Sequence, residues 1–263
     1  MDLRPNISVL MTAYNREKFI ADAIESVLSS TYTNFELVIV DDGSTDNTVA
    51  IAKEYSGKDN RVKIFVNETN LGDYPNRNKA AFYAKGQYLK YLDSDDIIYP
   101  HCLQVMVDCM TSFPEAGLGL SAIGDEFNPY PICLTPKEAY QEFYSGKGLF
   151  GRAPGSSIIL KRAFDSIGGF SGIRQVGDFE FWLKMSCYFP VVKMPLDLYW
   201  SRLHDQTEKN AHTESEKNKM RLQVINKIFK EENVPLSESE KKQILESFKN
   251  GIFKRFLGRI RKR

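Results

Sequence analysis

The sequence predicts an α/β protein with a mostly parallel central sheet flanked by helices on both faces. Two observations carry that class. Four short apolar runs, ISVLM, FELVIV, RVKIFV and YLKYL, alternate along residues 7–92 with segments whose apolar residues recur at helical spacing. Strand, helix and strand in succession imply parallel pairing, because each crossover returns the chain to the same end of the sheet. The polar stretches TAYN, DDGSTD and DSDD each follow one of those runs. They therefore stand at the carboxyl ends of strands, where open parallel sheets leave a ligand crevice.

Each element follows from its pattern. Residues 7–11 read as a buried strand, and a helix runs from Arg16 to Ser30 with Phe19, Ile20, Ala23, Ile24, Val27 and Leu28 on one face. Residues 35–40 are the second strand, followed by a helix from Asn47 to Tyr55. Residues 61–66 are the third, and a helix over 74–85 leads into YLKYL. Past Asp96, Pro100 opens a helix to Phe113, and GLGLSAI is a strand. Thr135 and Glu138 form a capping box with Pro136 at the first helical position, for a helix ending at Gly146. SSIILK is a strand, VGDFEFWLKMSCYF contains a helix, and VVKM and LYWSRLH are short strands. From Glu214 two helices are split by ENVPLSES, where Ser237 and Glu240 make a second capping box. This organisation gives residues 1–96 and 97–212 as two halves of one domain, and 213–263 as a C-terminal helical extension.

The chain has 263 residues, 42% hydrophobic and 26% charged, which suits one large domain with an appendage. No apolar run is long enough to span a bilayer, and MDLRPNISVL lacks a basic-then-apolar signal pattern, so a cytoplasmic protein is expected. The four cysteines form no CxxC pair, which argues against a zinc site and a disulfide framework. Cys102 and Cys109, seven apart, fall on one helical face as core residues. The net charge of +1 hides an asymmetry: residues 249–263 hold seven basic residues and no acid, leaving 28 basic against 34 acidic elsewhere. That balance argues against a nucleic-acid binder. Phe248, Ile252, Phe253, Phe256, Leu257 and Ile260 interleave with those cations at helical spacing, a pattern suited either to an anionic membrane surface, met by residues 248–263, or to packing on the body.

DSDD places Asp93, Asp95 and Asp96 within four residues. Like charges this close repel, and a cation resolves the repulsion. In an extended segment Asp93 and Asp95 point the same way, and such a pair suits Mn²⁺ or Mg²⁺, hard cations that take oxygen ligands. The plainer reading is that Asp95 or Asp96 caps the helix near Pro100. Asp41 and Asp42 also close a buried strand. Asp41, nearest the strand, could accept a hydrogen bond from a base N–H or a ribose hydroxyl, whereas Asp42, Ser44 and Asp46 serve the turn around Gly43.

TAYNRE, VDDGSTD, NETNLGDYPNRNKAA…AKG and YLDSDD, in this order and spacing over about residues 6–205, resemble the donor half of family 2 nucleotide-sugar glycosyltransferases. These are inverting enzymes with the Rossmann-like GT-A fold. The resemblance implies that Thr12, Ala13, Tyr14, Asn15 and Glu17 line a nucleotide pocket, with Asp41 on the base. It implies that Asp93 and Ser94 meet the ribose and diphosphate, that Asp95 ligates a divalent metal, and that Arg77 and Asn78 lie near the donor. Asp73 and Tyr74 depart from the small residues usual after NxG. In the second half, VGDFEFWL is similar to the family's acidic doublet, which makes Asp178 the catalytic base. Gly177 stands where an acid is usual, and Glu180 is the rival. An acceptor hydroxyl needs such a carboxylate to take its proton. Trp182 could stack on a sugar but at this spacing reads rather as core, and Arg202 and His204 resemble a late motif placed near the metal or diphosphate, against the plainer reading of His204 as a surface or satisfied core residue.

The function these residues imply is metal-dependent, inverting transfer of one sugar from a nucleotide-sugar donor to a saccharide or lipid-linked glycan acceptor in cell-surface polysaccharide synthesis. A UDP-hexose or UDP-N-acetylhexosamine is the expected donor, and Mn²⁺ or Mg²⁺ the cofactor. The expected location is the cytoplasm, with docking on the inner face of the cell membrane through the tail. The alternatives are an inactive nucleotide- or glycan-binding module and a sugar nucleotidyltransferase. The latter calls for a glycine-rich N-terminal loop that TAYNRE lacks.

Overall fold

The computed structural model describes residues 6–122, 128–205 and 213–249. The first half alternates as the sequence predicts: β1 (Ile7–Ala13), α1 (Ile20–Leu28), β2 (Phe35–Asp41), α2 (Thr48–Lys58), β3 (Val62–Val66), α3 (Asp73–Tyr83) and β4 (Tyr88–Asp93). The second half comprises β5 (Ile97–Ile98), α4 (Cys102–Thr111), β6 (Leu118–Ser121), β7 (Ile132–Leu134), α5 (Pro136–Glu142), β8 (Ser157–Leu160), α6 (Lys161–Ser166), α7 (Gly177–Tyr188), β9 (Val191–Met194) and β10 (Tyr199–Trp200). The C-terminal helices are α8 (Glu214–Glu231) and α9 (Glu238–Lys249).

One eight-stranded sheet, ordered β3-β2-β1-β4-β8-β6-β9-β7, runs through both halves. Strands β1 to β4 are mutually parallel, β8 is antiparallel to β4 and β6, β9 is parallel to β6, and β7 is antiparallel to β9. The strand order reverses between β1 and β4, which is where such sheets open a crevice. Strands buried on both faces read as unbroken apolar runs, and every residue of β2 is buried. Gly86 owes its identity to space: a Cβ there would lie 2.5 Å from the main-chain nitrogen of Ser8. Cys102 and Cys109 are in the core as expected.

The departures are local. Of LYWSRLH only Tyr199–Trp200 pairs, antiparallel to Ile97–Ile98, and neither two-residue strand is long enough to show a period. Helix α6 begins at Lys161, where the sequence predicts strand. The helix expected to end at Gly146 passes into a π turn over Phe143–Lys147, and the left-handed Gly148 (φ 67°) stops it. Both anticipated capping boxes form, and Thr213 with Glu216 makes a third.

The C-terminal helices pack on the body. Ile225 and Ile228 of α8 are buried, Lys227 pairs with Glu180 of α7 at 3.0 Å, and Gln141 of α5 donates to Glu240 of α9. Phe248 packs its ring toward those of Phe143 and Tyr144, so the amphipathic tail begins by packing inward. Its remainder lies outside the described residues. Among the described residues no helix is long and apolar enough to cross a membrane.

Candidate active site

Strand register builds the site. Thr12 stands beside Val40 on one side and Asp93 on the other, and Ala13 beside Asp41. The loops after β1, β2 and β4 therefore leave the sheet side by side. The first two are stitched together. Asn15, left-handed at φ 52°, accepts from the Thr45 N–H at 2.9 Å and donates its own N–H to Ser44 Oγ at 2.8 Å. Glu17 accepts from the main chain and side chain of Asn47 at 3.1 and 2.8 Å. Thr12 is half-buried and Ala13 buried, while Tyr14, 46% exposed, is the open aromatic of this group.

The two aspartates at the end of β2, its last residue Asp41 and the following Asp42, divide the work differently from the sequence expectation. Asp41 is the residue that shapes the turn, accepting from the N–H groups of Gly43 and Ser44 at 3.1 and 2.8 Å and from Ser44 Oγ. Asp42 reaches away to the loop before α3, where it accepts from Asn67 Nδ2, Leu71 N and Gly72 N. Asp46 keeps its expected place, closing the start of α2 through Thr48.

Carboxylate oxygens of Asp93, Asp95 and Asp96 lie within 4.8 Å of one another. Neither Asp95 nor Asp96 caps α4, whose N-terminus carries no side-chain cap. Protein donors hold one side of the cluster. Arg77 Nη2 donates to Asp93 Oδ1 at 2.7 Å, and Asp95 Oδ2 meets Arg16 Nε at 3.1 Å and His204 Nε2 at 2.8 Å. Buried Asp96 accepts the main-chain N–H of Arg202 at 2.9 Å, and Ser94 is buried between the acids. The Arg202 side chain donates to the Asp95 carbonyl and to Asp22, with its guanidinium over the rings of Phe19 and Trp200. Residues 199–204 thus strap across DSDD. Among the described residues Asp93 Oδ2 and Asp95 Oδ1 accept no hydrogen bond. Arg16 is the member that sequence reading misses. Its signal is a cation immediately after a strand-end loop that faces acids.

Helix α3 links this cluster to the second half. Arg77 is buried, pairs with Asp73 and Asp93 at 2.7 Å each, and leaves Nη1 buried without a partner among the described residues. Asn78 is engaged on both its atoms: its amide donates to the Phe170 carbonyl at 2.8 Å and accepts the Phe170 N–H at 3.0 Å, locking the turn at residues 168–170 to α3. Asp178, in the first turn of α7, receives the Phe179 N–H on Oδ1 at 2.7 Å and leaves Oδ2 without a donor among the described residues. Burial pushes its carboxyl up to about 6, against the opposing pull of the Phe179 N–H and the Arg77 charge. Glu180 turns the other way, onto Lys227 and Ser171, so it is not beside Asp178. Trp182 is fully buried with Nε1 on the Arg152 carbonyl at 2.8 Å, a core residue as expected. Gly177 has no room for a side chain: a Cβ would meet the Tyr74 ring at 2.6 Å.

Residues 8–168 match the family model described as glycosyl transferase family 2. The chain belongs to that family. It is therefore a glycosyltransferase, and its mostly parallel sheet is the GT-A fold the motifs led one to expect. The matched stretch ends before Asp178. Among relatives, the protein named "Putative glycosyltransferase EpsE" of Bacillus subtilis is 30% identical over 191 residues, 70% of this chain and 68% of EpsE. The Escherichia coli UDP-Glc:alpha-D-GlcNAc-diphosphoundecaprenol beta-1,3-glucosyltransferase WfgD is 41% identical over 104 residues, 40% of each chain. Two solved structures share the fold at low identity. S. aureus TarS 1–349 in complex with UDP-GlcNAc superposes with a TM-score of 0.69 at 22% identity, over 95% of this chain and 73% of that one. Mannosyltransferase PcManGT from Pyrobaculum calidifontis, in complex with GDP-Man and Mn²⁺, gives 0.70 at 16%, over 93% and 69%.

Proposed function

We propose that this glycosyltransferase moves one sugar, with inversion, from a UDP-hexose or UDP-N-acetylhexosamine to a saccharide or lipid-linked glycan acceptor in polysaccharide synthesis, using Mn²⁺ or Mg²⁺. The observation that carries the reading is a division of free groups. Among the described residues Asp93 and Asp95 each keep one oxygen clear of protein donors at the end of β4, while Arg77, Arg16 and His204 hold their other oxygens. That donor set is all oxygen at the first two residues, which fits a hard divalent cation. Asp93 and Asp95 would hold it, with His204 bearing on Asp95. A cation so bound supplies Lewis-acid stabilisation to the departing diphosphate, so no protein acid is required there.

The chain's own residues do the rest. Arg77, buried and paired with Asp73 and Asp93, holds Asp93 in place and sets a positive charge behind the site of the diphosphate. Thr12 to Glu17 and Asp41 frame the loops against which a nucleoside lies. Asp178 takes the acceptor hydroxyl proton on Oδ2 as that oxygen attacks, and a lowered acidity suits it to hold the proton at the moment of transfer. The names of WfgD and the TarS complex favour UDP, and that of PcManGT keeps GDP in contention. Titration calorimetry of UDP, GDP and dTDP with and without Mn²⁺ tests the reading. Binding of UDP that Mn²⁺ strengthens at least tenfold is expected, and no binding of any nucleotide in either condition would overturn it. The basic tail adds docking on anionic membranes: full-length protein should co-sediment with phosphatidylserine vesicles and a 1–249 truncation should not.

A further inference from the structure

Helix α3 reaches both parts of the site with side chains one turn apart. Arg77 holds Asp93 at the end of β4. Tyr74 holds the start of α7, because its hydroxyl accepts the main-chain N–H of Asp178 at 3.0 Å. That N–H lies in the first turn, where no carbonyl of the helix itself can take it. The Tyr74 ring is 5% exposed and packs 5.1 Å from the ring of Phe170, which Asn78 fixes through its main chain. On its other side it fills the space next to Gly177, where a Cβ would lie 2.6 Å from Cε2 and 2.7 Å from Cζ. A ring confined on both sides and tied at its hydroxyl cannot swing away to admit a larger residue at 177.

We propose that Tyr74 is a positioning residue that acts through Asp178, setting the base carboxylate against the donor platform that Arg77 holds, and that residue 177 is glycine to admit the Tyr74 ring. The proposal rests on the reading of Asp178 as base. Asp178 has one oxygen on the next N–H of its own helix and the other free, so its carboxylate goes where the first turn of α7 goes. Tyr74 ties that turn to the same helix that carries Arg77. Freed of the tie, the turn can drift, and a misplacement near 1 Å is enough to cost orders of magnitude in rate.

Two sets of variants test this, each checked for native circular dichroism. Tyr74→Phe keeps the ring and removes the hydroxyl. Its kcat should fall roughly tenfold or more, while Mn²⁺-dependent UDP affinity stays within about twofold of the parent. A residue that only supports the fold would lower both together, so a matched loss, or an unchanged kcat, overturns the proposal. Gly177→Ala should also lose roughly tenfold in kcat, and should lose nothing further in a Tyr74→Ala background, where the space is vacated. An equal loss in both backgrounds overturns the steric half. Asp178→Asn, run alongside, separates the two readings. If it keeps full turnover, the base assignment falls. If it is inactive while Tyr74→Phe is unaffected, only the positioning role falls.

Discussion

Replacing Asp178 with Asn should cut turnover by orders of magnitude and, above neutral pH, make the protein more stable. The carboxyl is pushed from its ordinary 3.8 up to about 6, chiefly by burial. A shift of about two units corresponds to a ceiling of ~3 kcal/mol. The residue is only half-buried, and solvent screening brings a reasonable figure to about 1–2 kcal/mol. The folded state holds the proton more tightly than the unfolded chain does. The stability tied to that proton is therefore fully present below about pH 4 and is lost as pH rises through about 6. At pH 8 the native protein carries an ionised carboxylate that the fold disfavours. Asn cannot ionise, and its side-chain oxygen can still accept the Phe179 N–H. Calorimetric melting from pH 4 to 8 should show a Tm advantage for Asp178→Asn that is near zero at pH 4 and roughly 2–8 °C at pH 8. Turnover should drop by a factor on the order of 10²–10⁴, the usual weight of a general base. A variant less stable than the parent at pH 8, or an advantage independent of pH, would refute the argument that burial tunes this group.

The other predictions separate the cluster's parts. Asp95→Asn should remove the Mn²⁺ enhancement of UDP binding measured by calorimetry, because it takes away one of the two free carboxylate oxygens, and should leave the fold intact. Asp93→Ala should lose the same enhancement and also destabilise the protein by about 2–4 kcal/mol in urea unfolding, since buried Arg77 then keeps only Asp73. Gly86→Ala should leave little folded protein by size-exclusion chromatography, because its Cβ would meet main-chain atoms of Ser8 at 2.5 Å, and these cannot move without shifting β1. Full activity and stability in that variant would remove the close-approach explanation of the AKG glycine.

What could be read from sequence depended on distance along the chain. The alternation of strands and helices, and the gathering of TAYN, DDGSTD and DSDD at one edge, followed from local periodicity and the rules of parallel pairing. Asp93 and Asp95 were legible as a pair because residues two apart in extended chain share a face. Asp41 and Asp42 point to opposite faces for the same reason, but no local pattern says which face holds the turn and which holds Asn67. Contacts across the fold were hidden further. Arg16 and His204 meet Asp95 from 79 and 109 residues away, and the Tyr74 hydroxyl meets the Asp178 N–H from 104. The last case shows how such a contact alters the meaning of a motif. A bulky Tyr74 after NLG and a bare Gly177 before Asp178 each weaken the sequence match when taken alone. In the structure one occupies the space the other leaves, and the hydroxyl then holds the residue next to that glycine. The two departures therefore account for each other by packing, and neither taken alone removes Asp178 as the candidate base.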